Sequence, residues 1–188
     1  MRDFITCLEF LTRIRFSNRT DWRDDDFAKS VPYFPLVGLV MGVFMAAVNY
    51  GLLYANTPLF MRAVLLILAE LVIIGALMYD GYMDTSDGVF SARSRERMLE
   101  IMKDSRIGTN GGIAMVADLA LKFFGIYYCD CKWLIILLMP VMGKMIQGLV
   151  AYKAVYPRKN GIGIYVGTIP LWGAVGAALM GLAALVAA

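Results

Sequence analysis

The sequence predicts an all-α fold: a polytopic membrane helix bundle of about five transmembrane helices with an amphipathic helix at its N-terminus. Two observations carry that expectation. Hydrophobic residues make up 60% of the chain and mean hydropathy is +0.65, whereas a soluble domain is about 45–50% apolar. Apolar runs near the roughly 20 residues needed to cross a bilayer also recur along the chain, with basic residues crowded into alternate connections. The 188 residues leave room for a single integral-membrane domain, 1–188.

The N-terminal segment places Phe4, Ile5, Leu8, Phe10, Leu11 and Ile14 around Glu9 and Arg13. Those charges rule out the unbroken apolar core of a signal peptide. The spacing predicts an amphipathic helix, lying on the membrane surface or packed on its own bundle. The acidic run Asp24-Asp25-Asp26 reads as solvated or as a helix cap, and residues 1–30 as a cytoplasmic, interfacial segment. The five predicted spans are Tyr33 to Tyr54, Leu59 to Tyr79, Gly111 to Cys129, Trp133 to Val155 and Ile164 to Ala188.

Orientation follows from the basic residues. Arg2, Arg13, Arg15, Arg19, Arg23 and Lys29 precede the first span. Arg93, Arg95, Arg97, Lys103 and Arg106 separate the second and third, and Arg158 and Lys159 the fourth and fifth. The intervening connections hold only Arg62 and Lys132. An N-terminus inside makes every basic segment cytoplasmic, and five crossings leave the C-terminus outside. The last residues stay apolar, so the chain reads as a short form or as one that continues.

Composition excludes several chemistries. A net charge of +3 is too small to argue for nucleic acid, and there is no histidine. That removes Ser-His-Asp and Cys-His catalysis and His-ligated zinc. Cys7 stands alone, and Cys129 and Cys131 lack a second pair to complete a metal site.

The chemistry concentrates in residues 80–110, predicted to be a cytoplasmic catalytic segment. Asp80, Asp84 and Asp87 stand at i, i+4 and i+7 in Asp-Gly-x-x-Asp-x-x-Asp-Gly. On a helix they share one face, where a divalent cation would relieve their repulsion. One or two ions there would suit phosphoryl transfer. Gly108, Gly111 and Gly112 then lead into the third span, where a helix N-terminus offers backbone N–H groups to an anion. Lys103, Arg106 and Arg93 add phosphate-matching charge, and Asp104 is a further ligand or a base. Within the spans, Glu70, Asp118, Lys122 and Lys144 each cost about 2.5–3.5 kcal/mol at the bilayer centre and must pair inward. Lys122 and Lys144 either serve the substrate anion or close internal ion pairs, with Asp118 and Lys122 the local i, i+4 pair.

Several stretches resemble the cobalamin synthase family, the adenosylcobinamide-GDP ribazoletransferases. They are Phe10-Leu11-Thr12-Arg13, Phe34-Pro35-Leu36-Val37-Gly38, the block Asp80 to Gly88, Arg93 through Lys103-Asp104-Ser105-Arg106-Ile107-Gly108 and, more weakly, Tyr156-Pro157-Arg158 with Gly161 and Gly163. Met78-Tyr79 stands where the family commonly has His-Leu, and Lys144 where it usually has arginine. The resemblance implies a Mg²⁺-dependent transferase of the cell inner membrane, late in cobalamin assembly. It would join alpha-ribazole or its 5'-phosphate to adenosylcobinamide-GDP and release GMP. Catalysis would rest on Asp80, Asp84, Asp87 and Asp104, with metal on the first three. Phosphate contacts would come from Lys103, Arg106 and Arg93, with Lys122 and Lys144 in reserve. The implied partners are these small molecules and the lipid bilayer. Self-association, and association with other cobalamin-assembly enzymes, stay open. Two alternatives compete: a CDP-alcohol phosphotransferase-like lipid enzyme, whose pattern needs Ala-Arg after Asp-Gly, and a small ion-coupled transporter using the intramembrane charges.

Overall fold

The computed structural model describes residues 2–16, 24–104, 106–157 and 162–186, and all regular structure among them is helical. The helices are α1 (Arg2–Leu11), α2 (Asp24–Ser30), α3 (Phe34–Tyr54), α4 (Leu59–Ile74), α5 (Leu77–Val89), α6 (Arg95–Ile101), α7 (Thr109–Tyr128), α8 (Trp133–Ala151) and α9 (Leu171–Val186). Short 3-10 turns occupy Val31–Tyr33 and Ile162–Thr168. Arg19, Arg23, Arg158 and Lys159, used above for orientation, lie outside the described residues, as does Gly161.

Three helical stretches are long and apolar enough to span a bilayer: Asp26–Tyr54, Thr109–Tyr128 and Trp133–Ala151. They answer the first, third and fourth predicted spans. The second does not form one straight helix. α4 and α5 meet the length requirement only as a pair bent by 96°, because Gly75 closes α4 at φ +74°, a conformation that favours glycine. The Arg13 side chain lies where a Cβ on Gly75 would go, and the Arg13 N–H donates to the Ile73 carbonyl at 2.8 Å. The fifth predicted span divides into the 3-10 stretch and α9, a shorter apolar helix of 16 residues. The described residues thus hold three spans, or four with the bent pair, rather than five.

The α3–α8 pair is the tightest in the bundle. Gly38 and Gly42 stand four residues apart on α3, and a Cβ on either would collide with the α8 backbone at Pro140 and Val141 or at Leu137. Small residues at this spacing let helix backbones approach where no hydrophobic drive separates protein from lipid. One apolar cluster joins Cys7, Leu8 and Leu11 of α1 to Phe34, Val37 and Ile73, so α1 packs on its own bundle. A second joins Met45, Ala63, Leu66, Ile126 and Ile136. Asp26 is 8% exposed and pairs with Arg2 at 3.5 Å. It therefore ties α2 to α1, so Asp26 itself is not solvated; the side chains of the other two acids lie outside the described residues. α7 presents Ile113, Val116, Leu121 and Phe124 outward, a face that hydrocarbon would cover and water would not.

Candidate active site

α5 carries the aspartates. With about 100° between successive residues, Asp80, Asp84 and Asp87 fall on one side of α5, while Met78, Tyr79 and Tyr82 fall on the other. Asp80 is exposed, Asp84 half-buried and Asp87 buried. The buried one has a specific task. Its Oδ2 accepts from the Gly108 N–H at 2.8 Å and its Oδ1 from the Gly111 N–H at 2.8 Å. Asp87 thus caps the N-terminus of α7 from a neighbouring helix, where two otherwise unpaired donors and the positive dipole end favour a carboxylate. A Cβ on Gly108 or Gly111 would run into that carboxylate, so the glycines are what allow α5 and α7 to meet here.

This arrangement bears on two expectations. The α7 N-terminus does not offer the Gly108 and Gly111 amides to a substrate phosphate, because Asp87 already occupies them. Nor do the three aspartates close a cage: no group of three or more His, Cys, Asp or Glu side chains is gathered for a metal among the described residues. What remains is a two-carboxylate edge, Asp80 and Asp84, beside a carboxylate with a structural duty. That donor set suits Mg²⁺, which is usually held by one or two carboxylates plus substrate phosphates and water.

The connection to α7 starts with α6, whose Ser94 side chain accepts from the Arg97 N–H. Met98 and Met102 of this segment close over Gly88 at the end of α5. Arg97 pairs with Glu100 at 2.6 Å, while Arg93 and Lys103 are exposed. Arg106 is paired on the surface: it grips Asp104 through Nη2–Oδ2 at 2.7 Å and through Nε to both oxygens at 3.1 Å. The guanidinium holds the Asp104 carboxyl below the usual carboxylate range. A group so easily ionised is a weak base, and the ligand role suits it better.

Lys122 and Lys144 sit elsewhere. Lys122 Nζ lies 3.1 Å from Glu70 Oε1 and 3.6 Å from Asp118 Oδ2, and donates to the Tyr79 hydroxyl at 2.8 Å. Lys144 is 7% exposed and donates to Gln147 Oε1 at 2.9 Å. Both line a cavity of about 340 Å³ bordered by α3, α4, α5, α7 and α8, on the Tyr79–Tyr82 side of α5. The structure therefore gathers the intramembrane charges with one another and not with Lys103, Arg106 or Arg93. Sequence reasoning had the Asp118–Lys122 pair; it missed Glu70 and Tyr79 as its partners, because no local spacing links residues 52 and 43 positions away.

A helix bundle of membrane-spanning length, with an acidic helix end beside a basic connection, defines a polytopic membrane protein with a candidate phosphotransfer site. The chain belongs to the CobS family, cobalamin-5-phosphate synthase, whose family model matches residues 3–188. It is similar to the adenosylcobinamide-GDP ribazoletransferase of Clostridium novyi (strain NT), 42% identical over 176 residues that cover 90% of this chain and 69% of that protein. The enzyme of that name from Clostridioides difficile (strain 630) is 39% identical over 173 residues, 90% of this chain and 66% of the relative. That of Alkaliphilus metalliredigens (strain QYMF) is 40% identical over 174 residues, 90% and 68% respectively. The chain spans about two thirds of the length of these relatives. No solved structure matches it.

Proposed function

We propose that this chain joins alpha-ribazole, or its 5'-phosphate, to adenosylcobinamide-GDP, yielding adenosylcobalamin or its 5'-phosphate and GMP. Family membership supports the reaction class. The observation that supports a site here is that Asp80 and Asp84 share one side of α5, a helix that packs against α6 of the basic connection and is tied to α7 through Asp87. In the reaction, a ring hydroxyl of the ribazole ribose, free in both the nucleoside and its 5'-phosphate, forms a bond to the phosphorus bearing the cobinamide, the bond to GMP breaks, and the hydroxyl proton passes to a base or to water. Such a transfer needs charge neutralisation and positioning more than a covalent catalyst. Asp80 and Asp84 would hold Mg²⁺, which when bound neutralises diphosphate charge. Arg93 and Lys103, exposed on the basic connection, would meet phosphate, and Asp104, braced by Arg106, would serve as a further ligand. The test is incubation of purified protein with adenosylcobinamide-GDP and alpha-ribazole, with and without Mg²⁺, followed by mass spectrometry. Metal-dependent GMP release with the joined product is expected. Release of CMP from a CDP-alcohol, or substrate flux across liposomes without covalent change, overturns the reading.

We further propose an inner-membrane location with the N-terminus and residues 90–108 cytoplasmic, the bent α4–α5 pair acting as one crossing. The α7–α8 turn then faces outward, and its half-buried Cys129 reports on it. Cys7 is 0% exposed, and burial pushes its thiol up to about 12. Burial also raises the Cys131 thiol, so neither offers much thiolate at neutral pH. An impermeant maleimide added to intact cells should therefore label Cys129 first. Labelling only after permeabilisation would reverse the orientation.

A further inference from the structure

One glycine of the acidic helix has no packing to explain it. Gly38, Gly42, Gly88, Gly108 and Gly111 each stand where a Cβ would strike a neighbouring helix or side chain. Gly81 does not. It is exposed inside α5, and a Cβ built on it meets nothing within 4 Å. Proline aside, glycine is the least favourable residue in a helix interior, and alanine the most favourable. α5 is short, 13 residues, and carries three carboxylates, so it has little helix-forming strength to spare. An alanine at 81 would strengthen it without touching the rest of the fold.

The position of Gly81 says what its bare surface serves. At about 100° per residue it stands about 60° around α5 from Asp84, on the turn that joins Asp84 to Asp80. Leu77, one turn earlier on the same strip, is 54% exposed. Thr85, one turn later, bends its hydroxyl back to donate to the Gly81 carbonyl at 2.7 Å. That oxygen is therefore already satisfied, and the Gly81 N–H belongs to the helix ladder. The strip offers close approach and no free hydrogen-bonding group, so it selects by shape. Phosphates drawn to the Asp80–Asp84 pair through Mg²⁺ lie beside it. We infer that Gly81 is a specificity-determining residue: its missing side chain lets the diphosphate of adenosylcobinamide-GDP lie against the α5 backbone next to the two carboxylates. This rests on the transferase reading above and deepens it. Any side chain at 81 lifts the diphosphate off the helix and away from Asp80 and Asp84.

Helix propensity gives the test its sign, because fold and substrate binding should move in opposite directions. Calorimetric titration of adenosylcobinamide-GDP with Mg²⁺ into detergent-purified protein should show Gly81→Ala weakening binding at least about tenfold, the order of effect of one misplaced carbon in a fitted site. Binding of alpha-ribazole should be unchanged. The thermal midpoint should rise by about 2–4 °C, a combination that a purely structural role does not give. Gly81→Leu, also a good helix former, should weaken the diphosphate substrate further. Gly125→Ala, at a glycine exposed on α7 with equally open surroundings, should raise the midpoint and leave both affinities unchanged. Wild-type affinity for adenosylcobinamide-GDP in Gly81→Ala overturns the inference. So does a weakened affinity that comes with a lowered midpoint, or one that Gly125→Ala shares. The titration needs no turnover, so a wild type that binds adenosylcobinamide-GDP but releases no GMP sinks the transferase reading alone, and one that does not bind it sinks both.

Discussion

Asp80→Asn and Asp84→Asn are each expected to lower GMP release by at least about a hundredfold while leaving the folded protein intact. Charge stabilisation by a held metal ion is worth several kcal/mol in a phosphoryl transfer, and each 1.36 kcal/mol is tenfold in rate. Neither residue is buried, so replacing one carboxylate oxygen with an amide leaves packing unchanged. Asp87→Ala should behave differently. It strips both hydrogen bonds from the Gly108 and Gly111 amides and opens a space between α5 and α7. Hydrogen bonds to a charged group are worth about 1.5–3 kcal/mol each, so losing two is expected to cost about 3–6 kcal/mol, read as a lower thermal midpoint in detergent. The contrast separates the two roles. Wild-type turnover in Asp80→Asn removes the metal assignment, and an unchanged midpoint in Asp87→Ala removes the capping one.

That contrast also marks how far the sequence could be read. Periodicity and composition place α3, α7 and α8 to within a few residues, since each is a single apolar run. They run straight through Gly75, because hydropathy is a sum over a window and registers no single-residue reversal of φ. The acidic face of α5 follows from spacing alone, as i, i+4 and i+7 are fixed by helix geometry. What each acid does is another matter. Asp80 and Asp87 look equivalent along the chain, yet one is exposed and the other caps a helix that begins 22 residues later. Glycines at 108 and 111 suggest an anion at the α7 N-terminus. Which anion is a tertiary fact: the chain supplies its own.

The intramembrane pair sets up the second large effect. Lys122→Met is expected to destabilise the protein by about 3–5 kcal/mol, the usual consequence of leaving a buried partner's charge uncompensated. The side chains of Lys122 and Glu70 are 26% and 9% exposed, and Glu70 already has one oxygen without a partner. Losing Lys122 strands the whole carboxylate. Asp118, 31% exposed, is solvated enough to tolerate the loss better. If charge rather than shape sets the penalty, Glu70→Gln in the Lys122→Met background should restore most of the thermal midpoint, since an amide is far cheaper to bury than a lone carboxylate. The double-mutant cycle then returns a favourable coupling of a few kcal/mol. Equal and additive losses in the single and double variants would mean that Lys122 acts through packing against Tyr79, over whose ring its ammonium sits at 4.8 Å, and that the buried ion pair contributes little to holding α4 against α7.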